Sequence, residues 1–209
     1  MSRLHRFDIE QHAPEWYEVR AGEWTASKAA VVMGGLDTKG LSDLIQTIAW
    51  ERVFGAVDEP RFQSSAMARG NEMEEEARNW VAFNADAEIV TCGYVHHPSV
   101  KHVGWSPDGL VAPSYKRATE IKCLLHKEYM DVMFKREVPS EYRWQTRWAM
   151  WAGDLDSIDF VVYHPKPGGL VIPVERDRSF DDQMEARVYL LEQRVQEMIE
   201  RINDFRRVA

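Results

Sequence analysis

SPDGLV, at residues 106–111, and TEIKC, at residues 119–123, are two short segments joined by a sequence rich in turn-forming residues. Alternate residues of an extended strand face the same side, so Glu120 and Lys122 are predicted to project together while their neighbours face a core. The connecting residues include proline and serine, which are typical of a hairpin turn that would bring Asp108 beside Glu120. The sequence therefore predicts a hairpin on which two acids and a lysine converge.

This trio has the chemistry needed to hydrolyse a phosphodiester. The carboxylates of Asp108 and Glu120 are hard oxygen ligands of the kind that hold Mg²⁺, and the ion takes its remaining ligands from water and phosphate. An ammonium such as that of Lys122 can orient the attacking water or offset charge on the phosphate. An Asp followed at a loose distance by Glu-x-Lys is common by chance, so a salt-bridged surface hairpin remains the alternative interpretation of these residues.

Length and composition favour one folded domain over residues 1–209. Hydrophobic residues make up 44% of the 209 positions and aromatic residues 11%, which excludes a disordered class. The formal net charge of −8 argues against a protein coated in positive charge for nonspecific nucleic-acid binding, but a basic groove remains compatible with it. No apolar run is long enough to span a membrane, and the first residues do not resemble a signal peptide, so we expect a cytoplasmic protein. Cys92 and Cys123 are expected to be reduced core thiols.

Four segments have the periodicity of helices. The apolar pattern from Leu41 to Val53 ends at Gly55, and a second helix, opened by Pro139-Ser140, ends at Gly153. A third helix follows a polar linker at residues 56–65, and its predicted buried stripe comprises Met73, Ala77, Trp80 and Val81. A long helix capped by Ser179 completes the chain, with a predicted stripe of Phe180, Met184, Val188, Leu191, Val195, Met198, Ile202 and Phe205.

Two polar side chains lie at the edges of these apolar stripes. Glu74 is the glutamate of its helix best placed to reach inward, although a solvated position is the usual one for such a residue. Gln145 shares a face with Trp148 and Ala149, and an amide on an apolar face needs hydrogen-bond partners. A bond from Gln145 to the backbone is the simpler alternative.

Near the start of the chain, Arg20 precedes a short helix that Thr25 or Ser27 is predicted to cap. A helix N-terminus beside an arginine is a ready site for an anion, and a plain cap with a surface arginine is the alternative.

The strand pattern runs over residues 88–95 and 103–105, and a hairpin is predicted over residues 158–174. His96, His97 and His102 lie near the first two segments, and with the cysteines they include zinc-binding residue types. No pair has the spacing that zinc sites use, so the sequence does not favour zinc.

In order, these segments resemble the lambda exonuclease family, the YqaJ-type viral recombination nucleases, which are a branch of the PD-(D/E)xK nucleases. The match runs from Trp16 to Gly153. Its motifs are Trp-x-x-x-Arg, Thr-Ala-Ser, Gly-x-x-x-Glu-x-x-Ala-Arg at residues 70–78, Ser-Pro-Asp-Gly, Glu-x-Lys and the Gln145 helix. The resemblance implies an α/β fold, with a central mixed β-sheet flanked by helices around a restriction-endonuclease-like core.

The resemblance also implies a role for individual residues. Asp108, Glu120, the Ile121 carbonyl and Glu74 would hold two Mg²⁺ ions, with Mn²⁺ as a substitute, and Lys122 would lie beside the nucleophilic water. The residues implied to bind the terminal 5′-phosphate are Arg20, Ser27, Ser106 and Gln145. Met67 lies where the family uses an apolar wedge to part the end base pairs. Because three carboxylates in one site repel one another, we expect the pKa of at least one of them to be raised until metal binds.

The activity implied by the family is processive 5′→3′ digestion of duplex DNA to mononucleotides, which leaves a 3′-ended single strand for an annealing protein. The family forms a ring of three subunits, and the basic residues expected to line its channel are Arg61, Arg69, Lys135, Arg143 and Arg147. A phage or prophage origin in a bacterial host is implied. The alternatives are a structure-selective or sequence-selective endonuclease on the same core and a non-catalytic DNA-end-binding subunit.

Overall fold

The structure, a computed structural model, describes residues 5–57, 65–85 and 87–208, and for residues 5 and 65–72 it describes the backbone alone. The helices are α1 Pro14–Arg20, α2 Ala29–Val32, α3 Lys39–Phe54, α4 Ser65–Ala85, α5 His126–Lys135, α6 Ser140–Ala152 and α7 Ser179–Val208. A 3₁₀ turn, Ala26–Lys28, precedes α2. The strands are β1 His5–Phe7, β2 Trp24–Thr25, β3 Ile89–Val90, β4 Tyr94–His96, β5 Val103–Trp105, β6 Gly109–Val111, β7 Arg117–Lys122, β8 Ser157–His164 and β9 Gly168–Glu175.

The described strands form a larger, five-stranded sheet in the order β3-β6-β7-β8-β9. The predicted hairpin is its centre, with β6 antiparallel to β7 and Gly109 opposite Thr119. A Cβ at Gly109 would collide with the side chains of Ile89 and Thr119, so the residue after Asp108 must be glycine for the strands to approach. β7 continues parallel to β8, which pairs antiparallel with β9 at the sheet edge, as predicted for the hairpin over residues 158–174.

A smaller sheet within the same described ranges has four strands in the order β1-β4-β5-β2. The single strand predicted over residues 88–95 is wrong, because the chain divides there into β3 of the larger sheet and β4 of the smaller one. Gly93 lies at the division. Its N–H donates to the Phe7 carbonyl at 3.0 Å, and a Cβ at this position would collide with Ile9. Before Gly93 the chain pairs with β6 of the larger sheet, and after it the chain pairs with β1 of the smaller sheet.

The helices of the main core follow the predicted stripes. α3 begins where the Thr38 side chain accepts a hydrogen bond from the Leu41 N–H and ends at Gly55, whose φ of 90° favours glycine. α7 packs across α3 and buries Met184, Val188, Leu191 and Val195. Phe205 was predicted to be in the α7 stripe, but its side chain is 74% exposed. The last half-buried residues of α7 are Ile202 and Asn203, so the helix extends beyond the core at Phe205.

Ser179 is the first residue of α7 rather than its cap. Its backbone N–H donates to the carboxylate of Asp177 at 3.0 Å, so the aspartate provides a hydrogen-bond acceptor for one of the free N–H groups at the start of the helix. α5 was not predicted, because its ten residues give too short an apolar pattern; Tyr129 and Val132 are its buried residues. None of the helices in the described ranges is long and apolar enough to cross a bilayer.

Candidate active site

A cavity of about 580 Å³ opens between the two sheets and is lined by α1, α4, β7 and α6. Every predicted site residue whose side chain is described lines it: Glu74, Asp108, Glu120, Ile121, Lys122, Arg20, Ser27, Ser106 and Gln145. Met67 lies in α4, but its side chain is outside the described part of the structure, as are Arg61, the side chain of Arg69 and most of the predicted linker at residues 56–65. The predicted catalytic, metal-binding and phosphate-binding residues whose side chains are described thus share one cavity.

The hairpin sets the positions of the two acids. Asp108 Oδ2 accepts a hydrogen bond of 2.6 Å from the Ile121 backbone N–H, which fixes the residue before β6 against β7. Glu120 projects from β7 and is 1% exposed, and its Oε1 atom lies 2.7 Å from Lys122 Nζ. Because this carboxylate is buried, the alternative of a salt-bridged surface hairpin is wrong.

α6 supplies an amide to the same carboxylate. Gln145 Nε2 donates to Glu120 Oε1, which is also the oxygen that contacts Lys122. The simpler alternative, a bond from Gln145 to backbone, is therefore wrong in this structure. Two donors from different elements converge on one oxygen and fix the rotamer of Glu120.

Glu74 enters the cavity from α4, where a nearby arginine binds it. Arg78 Nη2 donates to Glu74 Oε1, and Arg78 Nε donates to the Asp108 backbone carbonyl at 2.8 Å. Both side chains of this pair are 24% exposed. The prediction that Glu74 reaches inward is confirmed, whereas its neighbour Glu75 is exposed.

A second polar cluster lies on the cavity wall formed by α1. Arg20 Nη1 and Trp16 Nε1 donate to Ser106 Oγ at 3.1 and 3.0 Å, and the guanidinium of Arg20 stacks 3.8 Å above the Trp16 ring. This arrangement places a positive group and a hydroxyl side by side at the cavity, as an anion site requires.

The predicted cap before α2 is wrong. Neither Thr25 nor Lys28, which precede the 3₁₀ turn and α2, makes a capping side-chain hydrogen bond. Instead, the hydroxyls of Thr25 and Ser27 lie 3.2 Å apart. The 3₁₀ turn and the four-residue α2 are too short to form an extended dipole, so any anion binding at Ser27 must come from its hydroxyl and from Arg20.

The surroundings of the site raise the pKa of both Asp108 and Lys122. Burial and the neighbouring Glu120 raise the pKa of Asp108 well above the usual 3.8, against the opposing effects of Lys122 and the Ile121 N–H. This confirms the expectation that one carboxyl of the site has a raised pKa. Burial lowers the pKa of Lys122, but the negative charges of Glu120 and Asp108 raise it by more than burial lowers it. The pKa of Lys122 therefore lies above its usual value, and the amine is charged.

The donor set fits a hard divalent cation. Asp108, Glu120 and Glu74 offer carboxylate oxygens, and the Ile121 carbonyl points to the same side of β7 as its N–H, which faces Asp108. In the part of the chain that the structure describes, no group of three His, Cys, Asp or Glu side chains is already arranged to hold a metal ion. The Glu120 carboxylate binds Lys122 and Gln145, and the Glu74 carboxylate binds Arg78.

Three residues of the site were missed from the sequence. Arg78 and Trp16 were present in the motifs without a role, and their only signal was their fixed spacing from Glu74 and Arg20. Tyr142 lines the cavity with its ring 5.1 Å from Lys122 Nζ, three residues before Gln145 in α6. Its position on the same face as Gln145 could have been read from helical spacing.

The histidine segment lies elsewhere. His96 Nδ1 and His102 Nδ1 approach the carboxylate of Glu23 at 3.3 and 3.2 Å, on a separate surface pocket. Neither Cys92, which is buried, nor Cys123 forms a disulfide.

The sheet order and the acid-lined cavity define an α/β protein of the PD-(D/E)xK type, as predicted. The model of the YqaJ-like viral recombinase domain matches residues 15–156, so the chain belongs to that family. The structure is similar to that of an alkaline exonuclease (LHK-Exo) from Laribacter hongkongensis, with a TM-score of 0.84, 25% identity and coverage of 94% of this chain and 100% of the other.

Two further comparisons agree with this fold. The complex of the Laribacter enzyme with dAMP gives the same TM-score of 0.84. A phage-related exonuclease from Haemophilus somnus 129PT shares the fold, with a TM-score of 0.63, 16% identity and coverage of 86% of this chain and 96% of that one. A comparison with curated protein sequences finds no significant match.

Replacing Asp108 with asparagine should stabilise the metal-free protein at neutral pH. The folded-state pKa of Asp108 is raised, so ionising this carboxyl lowers the stability of the folded protein. This penalty is absent below pH 3.8, where the carboxyl is protonated in both the folded and the unfolded state. The cost grows as the pH rises from 3.8 toward the folded-state pKa. In thermal melts with EDTA, Asp108→Asn should therefore have the higher Tm at neutral pH, and the difference should shrink as the pH falls.

The matched control is Asp156→Asn, which changes an exposed aspartate outside the helices and should leave the Tm unchanged throughout. A lower Tm for Asp108→Asn than for the unmodified protein at neutral pH would contradict the interpretation.

Proposed function

We propose that this protein is a Mg²⁺-dependent exodeoxyribonuclease that digests the 5′-ended strand of duplex DNA from its end, processively and in the 5′→3′ direction. The observation that carries the proposal is the presence of Asp108, Glu120 and Lys122 in one cavity with the Arg20–Ser106 pair. Membership of the viral recombinase family supports it, as does the similarity to a structure described as an alkaline exonuclease. That relative has been crystallised with dAMP, a mononucleotide of the kind such digestion would release.

The residues proposed to hold two divalent ions are Asp108, Glu120, Glu74 and the Ile121 carbonyl. When bound, Mg²⁺ would stabilise the attacking and leaving oxygens of the phosphodiester, and Mn²⁺ would substitute for it. Gln145 and Lys122 both bind Glu120 Oε1, so they hold this carboxylate in the rotamer that faces the cavity. The raised pKa of Asp108 favours a site that gains its full charge only as a cation enters.

Lys122 is proposed to orient the attacking water and to offset charge on the phosphate. Its raised pKa keeps the amine protonated in the metal-free protein, so it acts as a hydrogen-bond donor and a positive charge. Its position over the Tyr142 ring, 5.1 Å away, and its ion pair with Glu120 restrict where the ammonium can point. Positioning of this kind lowers the barrier without any covalent intermediate.

The terminal 5′-phosphate is proposed to bind between α1 and the segment before β6. Arg20 and Ser106 are already paired there, and Ser27 and Gln145 line the same cavity. An anion held by Arg20 would place the next phosphodiester toward the acids by position alone, independently of base sequence. Met67 is proposed, from the family resemblance, as the wedge that parts the end base pairs.

The wider assembly is also a proposal that rests on the family resemblance. We infer that residues 1–209 form one nuclease domain, that three copies close a ring around DNA, and that a single-strand annealing protein takes the product in the cytoplasm of a bacterial host. Lys135, Arg143 and Arg147 lie outside the cavity lining. Of these, Arg143 pairs with Glu137, and Arg147 stacks 3.6 Å from the ring of Phe180.

A ring of three subunits predicts a solution mass three times that of the 24.3 kDa chain. Size-exclusion chromatography with light scattering, with and without duplex ends, measures this mass directly. A monomer under both conditions would exclude the ring.

Replacing Lys122 with alanine should reduce digestion of 5′-phosphorylated linear duplex about 100-fold or more, because the variant loses the group that orients the water and offsets charge. The rate of nucleotide release in Mg²⁺ gives the measurement, and closed circular DNA should be spared. Lys127→Ala, which removes an exposed lysine of α5 outside the cavity lining, is the matched control and should retain full activity. Efficient nicking of closed circles would instead indicate an endonuclease.

Replacing Arg20 with lysine should abolish most of the preference for 5′-phosphorylated over 5′-hydroxyl ends, lowering the ratio of their rates about 10-fold. Lysine keeps the charge but loses the fork that binds Ser106 while stacking on Trp16. Ser106→Ala should lower the ratio in the same direction, and Arg201→Lys on the exposed side of α7 should leave it unchanged. An unaltered ratio in both Arg20 and Ser106 variants would place the phosphate site elsewhere.

A further inference from the structure

Arg78 makes two separate contacts from one guanidinium. It lies one turn after Glu74 in α4, and its Nη2 donates to the Glu74 carboxylate. Its Nε donates to the backbone carbonyl of Asp108 at 2.8 Å, across 30 positions of the sequence. One planar group therefore joins a helix to the residue that precedes β6.

This geometry differs from that of an ordinary ion pair on a helix surface. Exposed pairs four residues apart contribute little to stability, because both side chains remain solvated and mobile. Here both side chains are 24% exposed, and the second contact of Arg78 is to the backbone of another element. The rigid fork of the guanidinium can make both bonds at once, which the single ammonium of a lysine cannot do in the same geometry.

The other two acids proposed as metal ligands have partners of their own. Glu120 is bound by Lys122 and Gln145, and the Asp108 carboxylate accepts from the Ile121 N–H. Arg78 is the partner of Glu74, which comes from a helix, whereas Asp108 and Glu120 come from the β6–β7 hairpin. Without a cation at this junction, repulsion between Glu74 and Asp108 would favour rotamers that turn Glu74 out of the cavity.

We propose that Arg78 is a positioning residue that holds Glu74 at a fixed place relative to Asp108, so that acids from two different elements can share a divalent ion. The proposal rests on the proposed function of this cavity. The Nε bond uses the Asp108 carbonyl and leaves its carboxylate available, so Arg78 stays anchored when Glu74 changes partner. Arg78 thus prepares the site without contacting the DNA or the water.

The test measures Mn²⁺ binding by calorimetry in the absence of DNA, for the unmodified protein, Arg78→Gln, Arg78→Lys, Glu74→Gln and the double variant Arg78→Gln/Glu74→Gln. Loss of a group that orients a metal ligand typically weakens binding about 10–100-fold, so Arg78→Gln should weaken Mn²⁺ binding about 10-fold. Arg78→Lys should recover less than half of that loss. The double variant should bind no more weakly than Glu74→Gln, because Arg78 acts through Glu74.

Matched controls separate positioning from folding. Glu75→Gln and Arg201→Gln change exposed residues of α4 and α7 and should bind Mn²⁺ normally, and Asp108→Asn should abolish binding and so identify the site. Thermal melts of Arg78→Gln should stay within a few degrees of the unmodified protein.

Unchanged Mn²⁺ binding in Arg78→Gln would overturn the proposal, as would losses that multiply in the double variant. The absence of Mn²⁺ binding in the unmodified protein would overturn it too. An unmodified protein that binds Mn²⁺ at Asp108 but digests no DNA would instead contradict the proposed nuclease function alone, because the calorimetry still reports on Arg78.

Discussion

The hydrogen bond from the Ile121 N–H to Asp108 Oδ2, 2.6 Å long, is the constraint on which the site depends. The pairing of β6 with β7 ends at Gly109 and Thr119. Beyond that pair, the Asp108 side chain replaces a backbone carbonyl as the acceptor for the Ile121 N–H. The bond sets Asp108 beside Glu120 and leaves the Ile121 carbonyl facing the same side. Three oxygen donors thereby follow from one contact between two strands.

The rest of the cavity offsets the charge that this contact concentrates. Lys122 from the same strand and Gln145 from α6 bind Glu120, and Arg78 from the same helix binds Glu74. Buried acids without such partners would cost several kcal/mol each. Asp108 keeps the raised pKa because burial and Glu120 outweigh the single N–H bond and Lys122. The unfavourable charge of the metal-free site is therefore concentrated at the Asp108 carboxyl.

Much of this arrangement was predictable from local sequence, because strand alternation and helical periodicity are local properties. The hairpin, the end of α3 at Gly55 and the inward face of α4 all followed from them. The division of residues 88–95 between two sheets did not, since it depends on backbone partners in β1 and β6 that are distant in sequence. Likewise, the partner of Gln145 depends on how α6 crosses β7, which no periodicity encodes.

The parallel pairing of β7 with β8 also governs when the site can exist. Parallel neighbours need a long connection, and here it consists of α5 and α6, the second of which carries Gln145. Gln145 lies on that connection, so its bond to Glu120 can form only once α6 has packed against β7. The amide that fixes the buried carboxylate is thus supplied by the same crossover that the parallel pairing requires.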